Sequence, residues 1–341
     1  MSKFTMTKEQ EPGLTGPVKA IAMLVIVFYH ACALYTGAWF GEPATPCPEL
    51  GVFVQWLATV HVPLFLLVSG YIWAYLKMET HKYDDSCVVL KKKVRRLLVP
   101  YAVISLVWAG PVFCLFYGGA ATVRAFILGG NPSQLWFLLA LFWMFALAEF
   151  LWRAVPRWLG NLPALVALSL GSYFVARCFY ALPLDLFQIG HALDYFPCFL
   201  LGVWLRQADT SYFWGLNPAL PLAVDVMVFA VWFVLNASGG VLAVAAKGIF
   251  FLLRMLGPLA LLSIFGHLPR LIDWFRESLF ERHSFGAYLF HQQIDWLLLS
   301  IINVPGVPPA VIVTVLFVVS LAVSLAISMA LKRWKAPSRL F

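Results

Sequence analysis

The stretch PVKAIAMLVIVFYHACALYT, residues 17–36, decides the fold class. At about 1.5 Å of rise per residue, a helix of this length crosses ~30 Å of hydrocarbon. Two polar side chains interrupt it. Lys19 stands near its start, and His30 lies eleven residues further on, roughly 16 Å deeper. A histidine at the depth of a bilayer centre is expensive to place and marks an intramembrane site by default.

Working outward from this run, further apolar stretches follow at 52–76, 97–118, 134–152, 161–178, 191–206, 219–236, 241–265, 284–302 and 308–331. The pattern predicts an all-α membrane protein of ten transmembrane helices. The sixth run reads as short, and the eighth as long and broken by Lys247 and Arg254. Of 341 residues, 62% are hydrophobic and 12% charged, with mean hydropathy +0.84. A soluble domain carries about twice that share of charge. Residues 1–16 are polar and are expected to form a cytoplasmic tail rather than a cleaved leader, with a second cytoplasmic tail at 332–341. Residues 1–341 read as a single integral membrane domain, because neither side has a loop long enough to fold alone. The six cysteines show no paired spacing and are expected to be small buried hydrophobes.

A net charge of +8 does not point to nucleic acid, because the basic residues alternate with the apolar runs. Twenty of the 24 lysines and arginines fall in every other connection, Lys3 and Lys8 at one end and Lys335 and Arg339 at the other among them. Only Arg124 and Arg177 fall in the remaining connections, and Lys247 and Arg254 are within a run. The positive-inside rule then puts both termini in the cytoplasm.

Depth along the runs groups three histidines. His61 and His291 land about 15 and 12 Å into their spans, near the layer of His30. A neutral imidazole suits general-base work near pH 7. The run Lys91-Lys92-Lys93-Val94-Arg95-Arg96 is topogenic, and its helical spacing also lets two cations converge on a pyrophosphate. Glu149 and Asp225 fall near the expected cytoplasmic edge and read as snorkelling or paired. Lys247 and Arg254 share a helix face and need a partner, for which Asp194, Asp295 or an anionic acceptor all remain open. Ser69-Gly70-Tyr71 reads first as close helix packing. Trp136 opens a run at an interface, where an aromatic belt or a sugar platform would look alike.

Taken in order, these pieces resemble the acyltransferase-3 family of integral membrane O-acyltransferases. The resemblance rests on residues 16–30 (GPVKAIAMLVIVFYH), 61–71 (HVPLFLLVSGY), 92–101 (KKVRRLLVPY), 134–138 (QLWFL), 195–202 (YFPCFLLG) and 284–291 (SFGAYLFH). It implies a multi-pass enzyme of a bacterial inner membrane that moves an acyl group, most often acetyl, from cytoplasmic acyl-CoA to a sugar hydroxyl of a surface polysaccharide or lipid-linked glycan. Acyl-CoA would be a co-substrate, with no permanently bound cofactor and no metal. The family's arginine eleven residues before the first histidine is replaced here by Lys19. Its Arg-x-x-Arg pair maps onto Lys93 and Arg96, with Lys92 and Arg95 as the alternative register. The resemblance gives His30 the catalytic role and Lys19, Lys93, Arg95 and Arg96 the acyl-CoA. It leaves His61, His291, Trp136, Ser69, Tyr71, Glu149 and Arg254 on the acceptor side or in the intramembrane polar layer. The competing reading from the residues is a transporter or flippase that uses the buried cations Lys247 and Arg254.

Overall fold

The computed structural model describes residues 11–333, except 38, 40, 183, 184 and 211–215. Lys3, Lys8, Lys335 and Arg339, which carry part of the charge argument, lie outside the described residues. The described chain is all helical. Among the described residues, nine helices are long and apolar enough to cross a membrane. They are α1 (Thr15–Thr36), α2 (Pro48–Glu79), α3 (Ser86–Tyr117), α4 (Ser133–Ala154), α5 (Leu162–Tyr180), α6 (Leu186–Gln207), α7 (Ala219–Ser238), α8 (Gly240–Gly266) and, last in the chain, α10 (Pro309–Arg333). Between the last two runs α9 (Leu279–Ile302), 24 residues long.

The ninth run is helical as expected but falls short of the apolarity of a lone span. Its physical reason is its position. Helix α9 packs between α1 and α10 and buries His291, Gln292, Gln293 and Asp295. A helix enclosed by protein does not need a lipid-compatible surface. Two expectations about the runs are corrected. The sixth is 22 residues long, not short, and α8 continues unbroken through Lys247 and Arg254 for 27 residues.

Prolines account for the irregularities that shape the interior. In α2, helix Pro48–Ala58 stops and helix His61–Ala74 begins. Pro63 has no N–H to give the carbonyl of Thr59 four residues back, so the ladder breaks just before His61. Wide π-turns at Val94–Leu98 and Ser105–Ala109 in α3 border Pro100 and Pro111, where an ordinary turn would crowd a carbonyl against the ring. In α8, Pro258 cannot donate to the carbonyl of Arg254. The thiol of Cys198 lies 3.7 Å from that oxygen and donates to it instead.

Helices α2 and α6 form the tightest pair. A Cβ on Gly70 would overlap the Phe199 carbonyl, and one on Gly202 would overlap the Leu67 carbonyl. The two glycines therefore allow backbone-to-backbone approach. The Ser69 hydroxyl donates to its own helix at the Phe65 carbonyl, 2.8 Å away. Helices α5 and α7 lie outermost and expose most of their apolar side chains, including Val166, Phe174, Val231 and Val234. The cysteines only partly follow their expected role: Cys32 and Cys198 are buried, whereas Cys87, Cys114 and Cys178 are exposed.

Candidate active site

The break in α2 and the burial of α9 bring three histidines together, two of them on the wall of a cavity of about 500 Å³. His30 of α1 and His61 of α2 line it, together with Tyr29, Trp39, Trp136 and Tyr195. That volume suits a ligand of several sugar or small-molecule groups. His291 of α9 sits behind His30, fully buried, with its Nε2 2.9 Å from His30 Nδ1.

Their hydrogen-bond partners fix the tautomers. His291 Nδ1 lies 3.0 Å from the Ala287 carbonyl and 2.9 Å from that of Tyr288, so it must carry the proton. In the neutral ring, Nε2 is then an acceptor and takes its hydrogen bond from His30 Nδ1–H. His30 Nε2 is left as the ring's lone pair, on a side chain that lines the cavity. His61 is set similarly, since its Nδ1–H donates to the Leu57 carbonyl at 2.7 Å. Its ring stacks on Tyr29 at 4.1 Å between centroids and 19° between planes. Trp39 lies nearly parallel to His30, at 6.2 Å and 10°.

A glutamine clasp holds this geometry. Gln134 Nε2 donates to Gln293 Oε1 at 2.7 Å, and Gln293 Nε2 returns a bond to Gln134 Oε1 at 2.9 Å. Gln134 also donates to the Leu289 carbonyl at 3.1 Å, and the Tyr288 hydroxyl donates to the Gln134 carbonyl. The start of α4 is thereby tied to the turn of α9 that carries His291. Trp136 follows directly and meets Tyr195 at 5.7 Å and His191 at 5.2 Å.

A cation cluster occupies the end of the bundle near the start of α1. Lys19, Lys93 and Arg96 lie within electrostatic reach of one another. Lys93 Nζ sits 3.6 Å from the ring centre of Phe145, and Lys19 Nζ 5.2 Å from that of Phe65. Lys93 is half-buried, whereas Lys92, Arg95 and Arg96 are exposed. The structure thus joins Lys19 to the register of Lys93 and Arg96. Phe65 packs edge-on against Phe137 at 5.1 Å, and Phe137 lines the histidine cavity. One aromatic layer therefore separates the cations from the imidazoles.

Several residues expected in the acceptor-side or intramembrane polar layer stand outside the histidine cavity. Glu149 does not line the cavity. It pairs with Lys77 at 2.7 Å, both fully buried, and accepts from Trp73 Nε1 at 2.8 Å. Tyr71 accepts from Arg206 at 2.7 Å, and Ser69 bonds its own helix. Arg254 takes Asp194 as its partner, with Nη1 to Oδ2 at 2.8 Å and Nη2 to Oδ1 at 3.1 Å. Asp225 accepts from Trp56 Nε1 at 2.8 Å. Sequence reasoning missed Tyr29, Trp39 and Tyr195 as cavity walls, and it gave Gln134 and Gln293 no partner. Tyr29 and Tyr195 stand inside the stretches that carried the resemblance, which was the one available signal.

A model of an acyltransferase domain matches residues 18–329. Comparison with curated proteins and with solved structures finds no match. The matched span contains Lys19, the three histidines, the glutamine clasp and all of helices α2 to α9. A multi-pass helical membrane protein with a cavity of paired imidazoles and a match of this extent belongs to the acyltransferase-3 family.

Proposed function

We propose that this acyltransferase moves an acetyl group from cytoplasmic acetyl-CoA to a sugar hydroxyl of a surface polysaccharide or lipid-linked glycan. It does so from a bacterial inner membrane, with ten crossings and both termini inside. The observation that carries the reading is the His291–His30 hydrogen bond beside the cavity, which gives His30 a basic Nε2 in a fixed tautomer.

Lys19, Lys93 and Arg96 hold the phosphates of the donor, and its pantetheine arm runs inward past Phe65 toward His30. His61 Nε2 accepts a hydrogen bond from the sugar, and Trp136 and Tyr195 pack against its ring. The sugar hydroxyl gives its proton to His30 Nε2 while its oxygen bonds to the thioester carbon. The tetrahedral adduct collapses, the carbon–sulfur bond breaks, and the CoA thiolate takes the proton from the imidazolium. As His30 becomes cationic, its Nδ1–H···Nε2 bond to His291 becomes charge-assisted and strengthens. That interaction is stronger in the transition state than before it, as catalysis requires.

General-base catalysis of this kind is worth ~10²–10⁴-fold. His30→Ala in purified protein should therefore lower release of free CoA thiol from acetyl-CoA by about that factor, with normal membrane accumulation. Near-normal turnover in that variant refutes the assignment.

A further inference from the structure

A second cavity of about 290 Å³ adjoins the first, and Tyr195 and Phe250 line both. It is a cage of cations on rings. The Arg177 guanidinium lies 4.6 Å from the ring centre of Tyr173 and 4.7 Å from that of Tyr180. Arg254 lies 4.7 Å from Tyr195 and 5.4 Å from Phe250. Lys247 lines the same space. Asp194 is the one carboxylate among the lining residues, and it is shared by both arginines.

Three cations and one carboxylate leave two positive charges in excess. The Nε–H of Arg254, on a residue only 3% exposed, has no hydrogen-bond partner among the described residues, and neither does that of Arg177. Among the described residues no carboxylate pairs with Lys247. Excess charge and unused donors at membrane depth are costly unless a ligand completes them. Planar guanidinium forks held on aromatic faces suit oxyanions. The rings offer flat faces to the C–H side of a sugar.

We infer that this second cavity binds an anionic group, a carboxylate or phosphate, attached to the glycan acceptor, while the acceptor hydroxyl reaches His30 in the first cavity. The inference rests on the acyltransferase reading for the identity of the acceptor, but the anion site itself stands on its own charges. An acidic sugar and the phosphate of a lipid-linked glycan present the same chemistry.

Binding of labelled glycans to the purified full-length protein tests it. One pair of probes is a glucuronate-containing tetrasaccharide and its carboxyl-reduced neutral counterpart. The second pair is prenyl-diphosphate-linked N-acetylglucosamine and the same sugar on an uncharged prenyl chain. The wild type should bind the anionic member of at least one pair about tenfold more tightly, as expected for one charge-assisted contact. The responding pair identifies the source of the anion. Lys247→Gln, an exposed position that leaves the Arg254–Asp194 pair intact, should abolish most of that preference without changing neutral binding. Equal binding within both pairs overturns the inference, as does a preference that survives Lys247→Gln. Acetyl transfer to a neutral glycan without any anionic preference leaves the enzyme reading intact and removes the anion site. An anionic preference in protein that never consumes acetyl-CoA does the reverse.

Discussion

Replacing His291 by phenylalanine separates a positioning role from a catalytic one. The new ring fills the space of the imidazole but offers no acceptor to His30 Nδ1–H, which lies 2.9 Å from Nε2 in the wild type. Before the reaction, that contact is a neutral hydrogen bond worth ~0.5–1.5 kcal/mol. Once His30 holds the substrate proton it is charge-assisted and worth ~1.5–3 kcal/mol. The difference, about 1–1.5 kcal/mol, is present only in the transition state and corresponds to roughly tenfold in rate. Thiol release from acetyl-CoA by protein in liposomes, at saturating acceptor, should therefore show kcat down about tenfold and the KM for acetyl-CoA unchanged. His30→Ala in the same assay should lose ~10²–10⁴-fold. A His291→Phe variant as inactive as His30→Ala would make His291 the base itself. One with full activity would mean that the imidazole pair contributes nothing to turnover.

The cation cluster predicts that Lys93→Ala combined with Arg96→Ala weakens acetyl-CoA binding at least tenfold, on the usual scale of charge-assisted contacts. Lys92→Ala with Arg95→Ala should change it little, and titration calorimetry distinguishes the two registers. Lys77→Met leaves Glu149 buried with Trp73 as its remaining partner, and breaking such a pair costs about 3–5 kcal/mol. A thermal melt in detergent should fall markedly in that variant, and an unchanged melt would remove the pair from the structural account. In the connection before α6, burial pushes the Asp185 carboxyl up. The His191 ring and the amides of Gly190 and His191 outweigh it and hold the group below its usual 3.8. A lowered carboxyl stabilises the fold above its ordinary range and loses that contribution as pH falls through the folded value. Asp185→Asn should therefore lower the melt at neutral pH, with the gap closing below about pH 4. A gap that is constant with pH would rule out the carboxylate as its source.

Much of the architecture was legible because apolar length reports spans directly. Residue counting also reported depth, so His30, His61 and His291 could be placed in one layer before their faces were known. Depth carries no azimuth, however. Arg254 had Asp194, Asp295 or an anionic acceptor as open partners, and only packing of α6 against α8 selects Asp194. The turn of His61 toward the cavity depends on the break at Pro63, which moves every later residue of α2 around the axis. For Glu149 a pairing was open, but its partner Lys77 belongs to a different helix and only packing identifies it. Helix α9 had the weakest span signal because its polar side chains, which make the site, are enclosed by other helices.

The backbone contact between α2 and α6 at Gly70 and Gly202 has a mechanical consequence. His61 rides on one of these helices and Tyr195 on the other, so two parts of the chamber wall are joined in a single strut. Any widening of the chamber must therefore come from elsewhere on its rim. Helix α8 carries Phe250 on that rim and Lys247 in the adjoining cavity.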